Sequence, residues 1–291
     1  MGGGRTADDS RWAADARIAT HGLATETVRS GQQCVAARAE EENAPIHSSS
    51  PVLPGEHDMI DIRRFATLGG ANHGWLDAKH HFSFASYRDE ARMGWGALRV
   101  WNDDTIAAGT GFPAHPHSDM EIITYVREGA ITHEDSLGNK GRTEAGDVQV
   151  MSAGTGIRHA EYNAESETTR IFQIWIIPDG ERKAPSWGTR PFPKGERSGQ
   201  FVTLASGMPG DGDALPIRTD ARVLGASIKA GETIEYALGE GRYAYLVPAF
   251  GSVQVNGQAL DKGDGAAIRD ETRLSITATR DAELVLVDTA E

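Results

Sequence analysis

Gly109-Thr110-Gly111-Phe112-Pro113-Ala114-His115-Pro116-His117-Ser118-Asp119-Met120-Glu121-Ile122-Ile123-Thr124-Tyr125-Val126 is the stretch from which the fold is read. It opens on glycines, carries a His-x-His pair and runs into a largely apolar segment, residues 121–126. Such a segment suits a strand covered on both faces. Outward from it, Glu128-Gly129 turns, residues 130–134 return as a strand, and residues 136–139 turn again. Gly146-Asp147 then opens a strand over residues 148–151. Upstream, residues 96–101 read as a strand and Asn102-Asp103-Asp104 as a turn. Downstream, residues 171–177 place Phe172, Ile174 and Ile176 on one face and Gln173 and Trp175 on the other. Short strands with turns about every ten residues predict an all-β chain of sandwich or barrel type.

The C-terminal part echoes this pattern. Phe250-Gly251, Val253-Gln254-Val255, Asn256-Gly257 and Lys262-Gly263-Asp264 repeat the order seen from Glu128-Gly129 to Gly146-Asp147 at a nearly constant offset. The repetition suggests a duplicated β domain. Residues 178–216, rich in Pro, Gly and charge, are expected to hold the crossover between the halves. Residues 284–287 give a last strand.

The chain has 291 residues, enough for two domains or one large β domain. Its net charge of −13 argues against binding nucleic acid through a broadly basic surface. No run approaches the ~18 apolar residues of a membrane span, which predicts a soluble protein. The single cysteine, Cys34, excludes an intrachain disulfide and fits a cytoplasmic setting. Residues 1–58 differ in character. Gly2-Gly3-Gly4, Glu40-Glu41-Glu42 and Ser48-Ser49-Ser50-Pro51 are linker-like, and no apolar core of a signal peptide is present. They are expected to be a flexible extension or the product of too early a start codon, with the ordered protein beginning near Met59.

There are 10 histidines and none follows His159, so any imidazole site belongs to the first β domain. On an extended strand, residues i and i+2 share a face, so His115 and His117 can meet one ion. His159-Ala160-Glu161 has the same spacing. Two such pairs on neighbouring strands would supply three imidazoles and a carboxylate. That set suits Fe(II), Mn, Ni or Co with positions left open. Spacing alone leaves a second reading open, with the histidines as ordinary polar residues at strand ends and Glu161 as a surface acid. Dinucleotide and phosphate loops, Gly-x-Ser-x-Gly and His-Glu-x-x-His are all absent from the sequence.

Several segments carry a family resemblance. Gly109 through Glu121, and Gly146 through Asn163, resemble the two cupin motifs. Ser152 stands in place of the usual proline, and the loop before His159 is longer by two residues. With Asn72-His73-Gly74-Trp75-Leu76-Asp77, His81-Phe82-Ser83-Phe84, Leu98-Arg99-Val100 and Gln173-Ile174-Trp175, these motifs make the chain similar to the pirin family of the cupin superfamily, from about Met59 onward. The resemblance implies a bicupin, two antiparallel β-sandwich or jelly-roll domains in one chain. The boundaries expected are a metal-binding domain over 59–178 and a domain without ligands over 179–291. It implies one divalent transition metal held by His115, His117, His159 and Glu161, with Fe(II) first and Mn, Ni, Co or Zn open. Glu121 sits where many cupins place their metal carboxylate; here a structural role is expected for it.

The activity implied is that of a quercetin 2,3-dioxygenase, cleaving a flavonol or related aromatic with O2. Glu161 would be the base and Phe112 and Met151 would flank the ring. His73, His80, His81 and His133 are expected to be structural or exposed, and Asn72, His73 and Trp75 to line the entrance or pack the first strand. The alternative is a metal- or redox-sensing module acting on a protein partner, as in eukaryotic relatives that modulate transcription factors. A third reading is a cupin acting on another small metabolite.

Overall fold

The alternation read in residues 171–177 becomes the strand Thr169–Ile176, paired with Leu98–Ile106 on one side and Glu121–Glu128 on the other. The computed structural model describes residues 60–192 and 198–291, so the expectations for residues 1–58 and for a start at Met59 lie outside the described residues. These three strands are central to a seven-stranded sheet. Its order is Ser186–Arg190, Val148–Ser152, Glu121–Glu128, Thr169–Ile176, Leu98–Ile106, Leu76–His80, Gly69–Asn72. A four-stranded sheet, Gly111–His117, Ile157–Tyr162, Ala130–Asp135 and Lys140–Glu144, lies across one face. Eight strands from the second half, with Ile60–Arg63, form a nine-stranded sheet around Tyr243–Val255 and Arg273–Thr289.

Both faces of the seven-stranded sheet are buried. Trp101, Ile123, Tyr125, Val150, Phe172 and Ile174 point to one side, into a core shared with Leu204, Val223, Tyr245, Val285 and Val287 of the second half. The residues between them point the other way. Ile106, Val126 and Ile171 form one cluster there, and Ile122 and Met151 join a second. The second half keeps its own core around Leu246, Val253, Ile276 and Leu284.

Asn102-Asp103-Asp104 is not a turn. All three residues are buried inside Leu98–Ile106. Turn propensity gives way to tertiary context here. Asn102 Oδ1 meets His80 Nδ1 at 2.9 Å, and Asp103 pairs with Arg127, whose guanidinium lies over Phe172. The region 178–216 is also more ordered than a plain crossover. Ser186–Arg190 pairs with Val148–Ser152 of the first sheet, and Val202–Ser206 with Ala221–Ile228 of the nine-stranded one. Ile60–Arg63 in turn pairs with Gly265–Ile268, so the earliest described strand completes the later sheet.

Arg63 closes this junction. Its guanidinium is buried against the rings of Phe82, Trp95 and Tyr245, at 4.8, 5.8 and 5.5 Å. His81 Nδ1 meets the Tyr245 hydroxyl at 2.8 Å. Burial, with the Arg63 charge adding to it, holds His81 well below the usual imidazole range, so the ring stays neutral beside the cation. Gly265 makes room for the pair, since a Cβ there would lie 2.1 Å from the Tyr245 hydroxyl and 2.8 Å from His81 Nδ1. Gly265→Ala is therefore expected to cost about 1–3 kcal/mol. Thermal unfolding would show this as a Tm lowered by several degrees; an unchanged Tm would refute the packing described.

Candidate metal centre

Two strands of the smaller sheet bring the histidines together. Gly111–His117 and Ile157–Tyr162 are antiparallel neighbours with His159 opposite His115. The register shifts between His159 and Glu161, where Gly111–His117 carries an extra residue around Pro113 and Ala114. Such a bulge re-aims the side chains beside it. The ligand atoms of His115, His117 and His159 lie within 4.8 Å of one another. The long loop before His159 is pinned from outside: Thr155 N donates to Lys183 O, and Gly154 adopts φ +46 where a Cβ would lie 2.1 Å from that same carbonyl.

The imidazole chemistry fits a divalent cation. His115 Nδ1 lies 2.8 Å from the Pro113 carbonyl, which only accepts, so Nδ1 carries the hydrogen and Nε2 is left bare. That Nε2 faces His159 Nε2 at 3.1 Å. Two nitrogens each about 2.1 Å from one ion, at right angles, are about 3.0 Å apart. Burial, then the neighbouring imidazoles, lowers His117 to about 4. Burial, then the neighbouring imidazoles of His115 and His133, lowers His159 to about 3. Both rings are neutral at ordinary pH, with lone pairs available.

Glu161 opens onto the same cavity from beside His159 and is held on both oxygens. Oε1 accepts from Thr124 Oγ1 at 2.9 Å and Gln149 Nε2 at 2.6 Å, and Oε2 accepts from Gln173 Nε2 at 3.0 Å. These three donors come from three neighbouring strands of the larger sheet. Thr143 donates to Gln149 Oε1 at 3.2 Å and extends the network outward. Glu121 lies elsewhere. It occupies the strand face that carries Ile123 and Tyr125, does not line the cavity, and accepts from Ser152 Oγ at 2.5 Å. Ser152, in the place of the usual proline, is thus its partner, and burial pushes the Glu121 carboxyl up.

The cavity is about 380 Å³ and mostly apolar. Trp75 and Phe112 meet edge to face at 5.2 Å, and Phe84 and Trp175 at 5.4 Å, on its walls. His73 lines it as well, whereas Asn72 caps its own turn by accepting from Gly74 N. Met151 does not line it. The side chain packs behind, in the cluster of Ile122, Ala153 and Ile157. His80 does line it, although spacing marked it only as structural. His81 is part of the junction between halves. His133 stacks on Trp187 at 4.7 Å and is held by Asp135 at 3.0 Å. Thr124, Gln149, Gln173 and Asp104 were not singled out by sequence. For Thr124, Gln149 and Gln173 the available signal is a polar residue flanked by apolar ones within a strand; Asp104, in the run Asn102-Asp103-Asp104, offers no such signal.

A family model described as Pirin matches residues 61–176, and one described as Quercetinase C-terminal cupin domain matches residues 203–289. A pirin-like protein of Caulobacter vibrioides is 73% identical over 232 residues, covering 80% of this chain and 100% of that protein. A quercetin 2,3-dioxygenase of Escherichia coli (strain K12) is 43% identical over 231 residues, covering 79% of this chain and 98% of that protein. The crystal structure of the bacterial pirin YhhW from Escherichia coli in complex with nickel(II) is 42% identical. It superposes with a TM-score of 0.75 over 80% of this chain and 99% of that one. Among the described residues no helix is long and apolar enough to cross a membrane. The architecture is a bicupin, and the chain belongs to the pirin family of the cupin superfamily.

Proposed function

We propose that this chain is a metal-dependent dioxygenase acting on a flavonol such as quercetin, or on a related hydroxylated aromatic, with O2. The observation that carries the reading is the grouping of three imidazoles and a clamped carboxylate on the wall of an aromatic-lined cavity. His115, His117, His159 and Glu161 would hold the metal, with Fe(II) proposed and Ni, Mn, Co or Zn to be compared by loading. The site belongs to the proposed first domain, 59–178, and the second, 179–291, carries no histidine. The cytoplasm is the compartment proposed. The relative named quercetin 2,3-dioxygenase supports the choice of substrate class.

When bound, the metal supplies Lewis acidity that acidifies a coordinated hydroxyl, and redox access to O2. The chain does the rest. The Pro113 carbonyl fixes the His115 tautomer. Thr124, Gln149 and Gln173 fix the Glu161 carboxylate in place. Oε2 has a single donor and so keeps a lone pair for the cation or for a proton taken from the substrate. Glu161 is proposed as that base. Trp75, Phe112, Phe84 and Trp175 exclude water and offer flat faces and edges to an aromatic ring.

Turnover, metal content and thermal stability check this. Oxygen consumption by Fe(II)-loaded protein with quercetin is expected to fall at least ~100-fold in His159→Ala. His159→Ala and Glu161→Ala should also lose metal occupancy, and wild-type occupancy in both would refute the ligand set. No turnover by the wild type with metal bound would move the function to another small substrate or to metal-gated binding of a protein partner. Gln149→Leu removes one clamp on Glu161 and should weaken metal affinity roughly 10–100-fold with the circular dichroism spectrum unchanged. Chelation should lower the thermal midpoint, by an amount equivalent to about 2.7 kcal/mol when the metal had been present at 100 times its Kd. An identical midpoint with and without metal would contradict a pre-formed site.

A further inference from the structure

The cavity holds two acceptors for which the metal reading has no use. Asp104 is 2% exposed, and its Oδ1 has no hydrogen-bond partner among the described residues. Gln173 is 7% exposed; Nε2 serves Glu161, and Oε1 has no partner among the described residues. Their strands are neighbours, with Gln173 opposite Asn102 and Ile171 opposite Asp104. Asn102, Asp104 and Gln173 therefore share one sheet face, and all three line the same cavity. The other polar residues of this run find partners in the protein: Asn102 holds His80, and Asp103 holds Arg127. Asp104 is the exception. A buried acceptor left unpaired opposes folding, and its presence is accounted for when a ligand brings the missing hydrogen.

Resting on the function proposed above, we infer that Asp104, with Gln173 Oε1 beside it, anchors the substrate. It receives a hydroxyl hydrogen of a polyhydroxylated aromatic, at a position separate from the oxygens directed to the metal. The apolar walls formed by Trp75, Leu76 and Phe112 keep water from competing for these acceptors. Burial, then the charges of Asp103 and Glu161, holds the Asp104 carboxyl well above its usual range. That direction favours the protonated form, which keeps an acceptor oxygen without setting a second anion beside Glu161. The pocket would then distinguish ligands by a hydroxyl group and not by ring shape alone.

Quercetin and 3-hydroxyflavone test this, because they share the 3-hydroxyl and 4-keto pair and the second lacks every other hydroxyl. Binding is read anaerobically on nickel(II)-loaded protein, by quenching of tryptophan fluorescence. Asp104→Ala should weaken quercetin about 10–100-fold and change 3-hydroxyflavone less than about 2-fold. Asp104→Asn, which keeps a carbonyl oxygen, should restore quercetin binding to within about 3-fold of wild type. Its metal content should match wild type, and its ligand-free Tm should be no lower. Equal weakening of both ligands, or of neither, overturns the anchor. Loss of Tm or metal in Asp104→Asn also overturns it, in favour of a structural role. Wild-type protein that binds neither flavonol refutes both the anchor and the flavonol reading. Asp104-dependent quercetin binding without oxygen consumption leaves the anchor standing and refutes the oxygenase alone.

Discussion

Burial of one sheet on both faces is the constraint on which the molecule depends. In the seven-stranded sheet, period-two alternation assigns each residue to one of two different environments. Phe172, Ile174 and Tyr125 go to the dry core between the halves, while Gln173, Thr124 and Asp104 go to the cavity side. A slip of one residue would bring the polar set into the core and the aromatic set against the histidines. Register is therefore strongly specified, and the geometry of the site follows from it.

The same logic separates two carboxylates of similar sequence context. Glu121 lies on the core-facing side of its strand and meets Ser152; Glu161 comes from the opposing sheet and faces the cavity. Each is buried, yet their surroundings differ. Glu121 meets the Ser152 hydroxyl and the Arg218 backbone, and burial raises its carboxyl. Glu161 is held by a hydroxyl and two amides aimed from three strands. An array of this kind holds a carboxylate without a cation of its own, which leaves the charge available to a metal.

Much of this was legible in the residues. Alternation in 171–177 and the glycine turns marked the strands, and the two i, i+2 pairs marked the imidazole cluster because period two guarantees a shared face. Asn102-Asp103-Asp104 misled, since the first two turn-forming residues pair with His80 and Arg127 and the third lines the cavity, none of these close in sequence. Met151 misled for the opposite reason. It is apolar and near the motif, but its side chain packs behind the loop that precedes His159. The exchange of Ile60–Arg63 and Ser186–Arg190 between neighbouring sheets left no local trace, because strand pairing across about 200 residues in the first case and about 40 in the second has no periodicity to reveal it.

That exchange has a consequence for biosynthesis. The first half is translated complete to Ile176 while one face of its sheet still lacks cover, because the partners Tyr245, Val285 and Val287 come later in the chain. At about 5–20 residues per second, the ribosome needs roughly 5 to 20 s to supply them. For that interval Trp101, Phe172 and Ile174 present an apolar surface to solvent or to a chaperone. The nascent half that bears the histidines thus depends, for its solubility, on the half that has none.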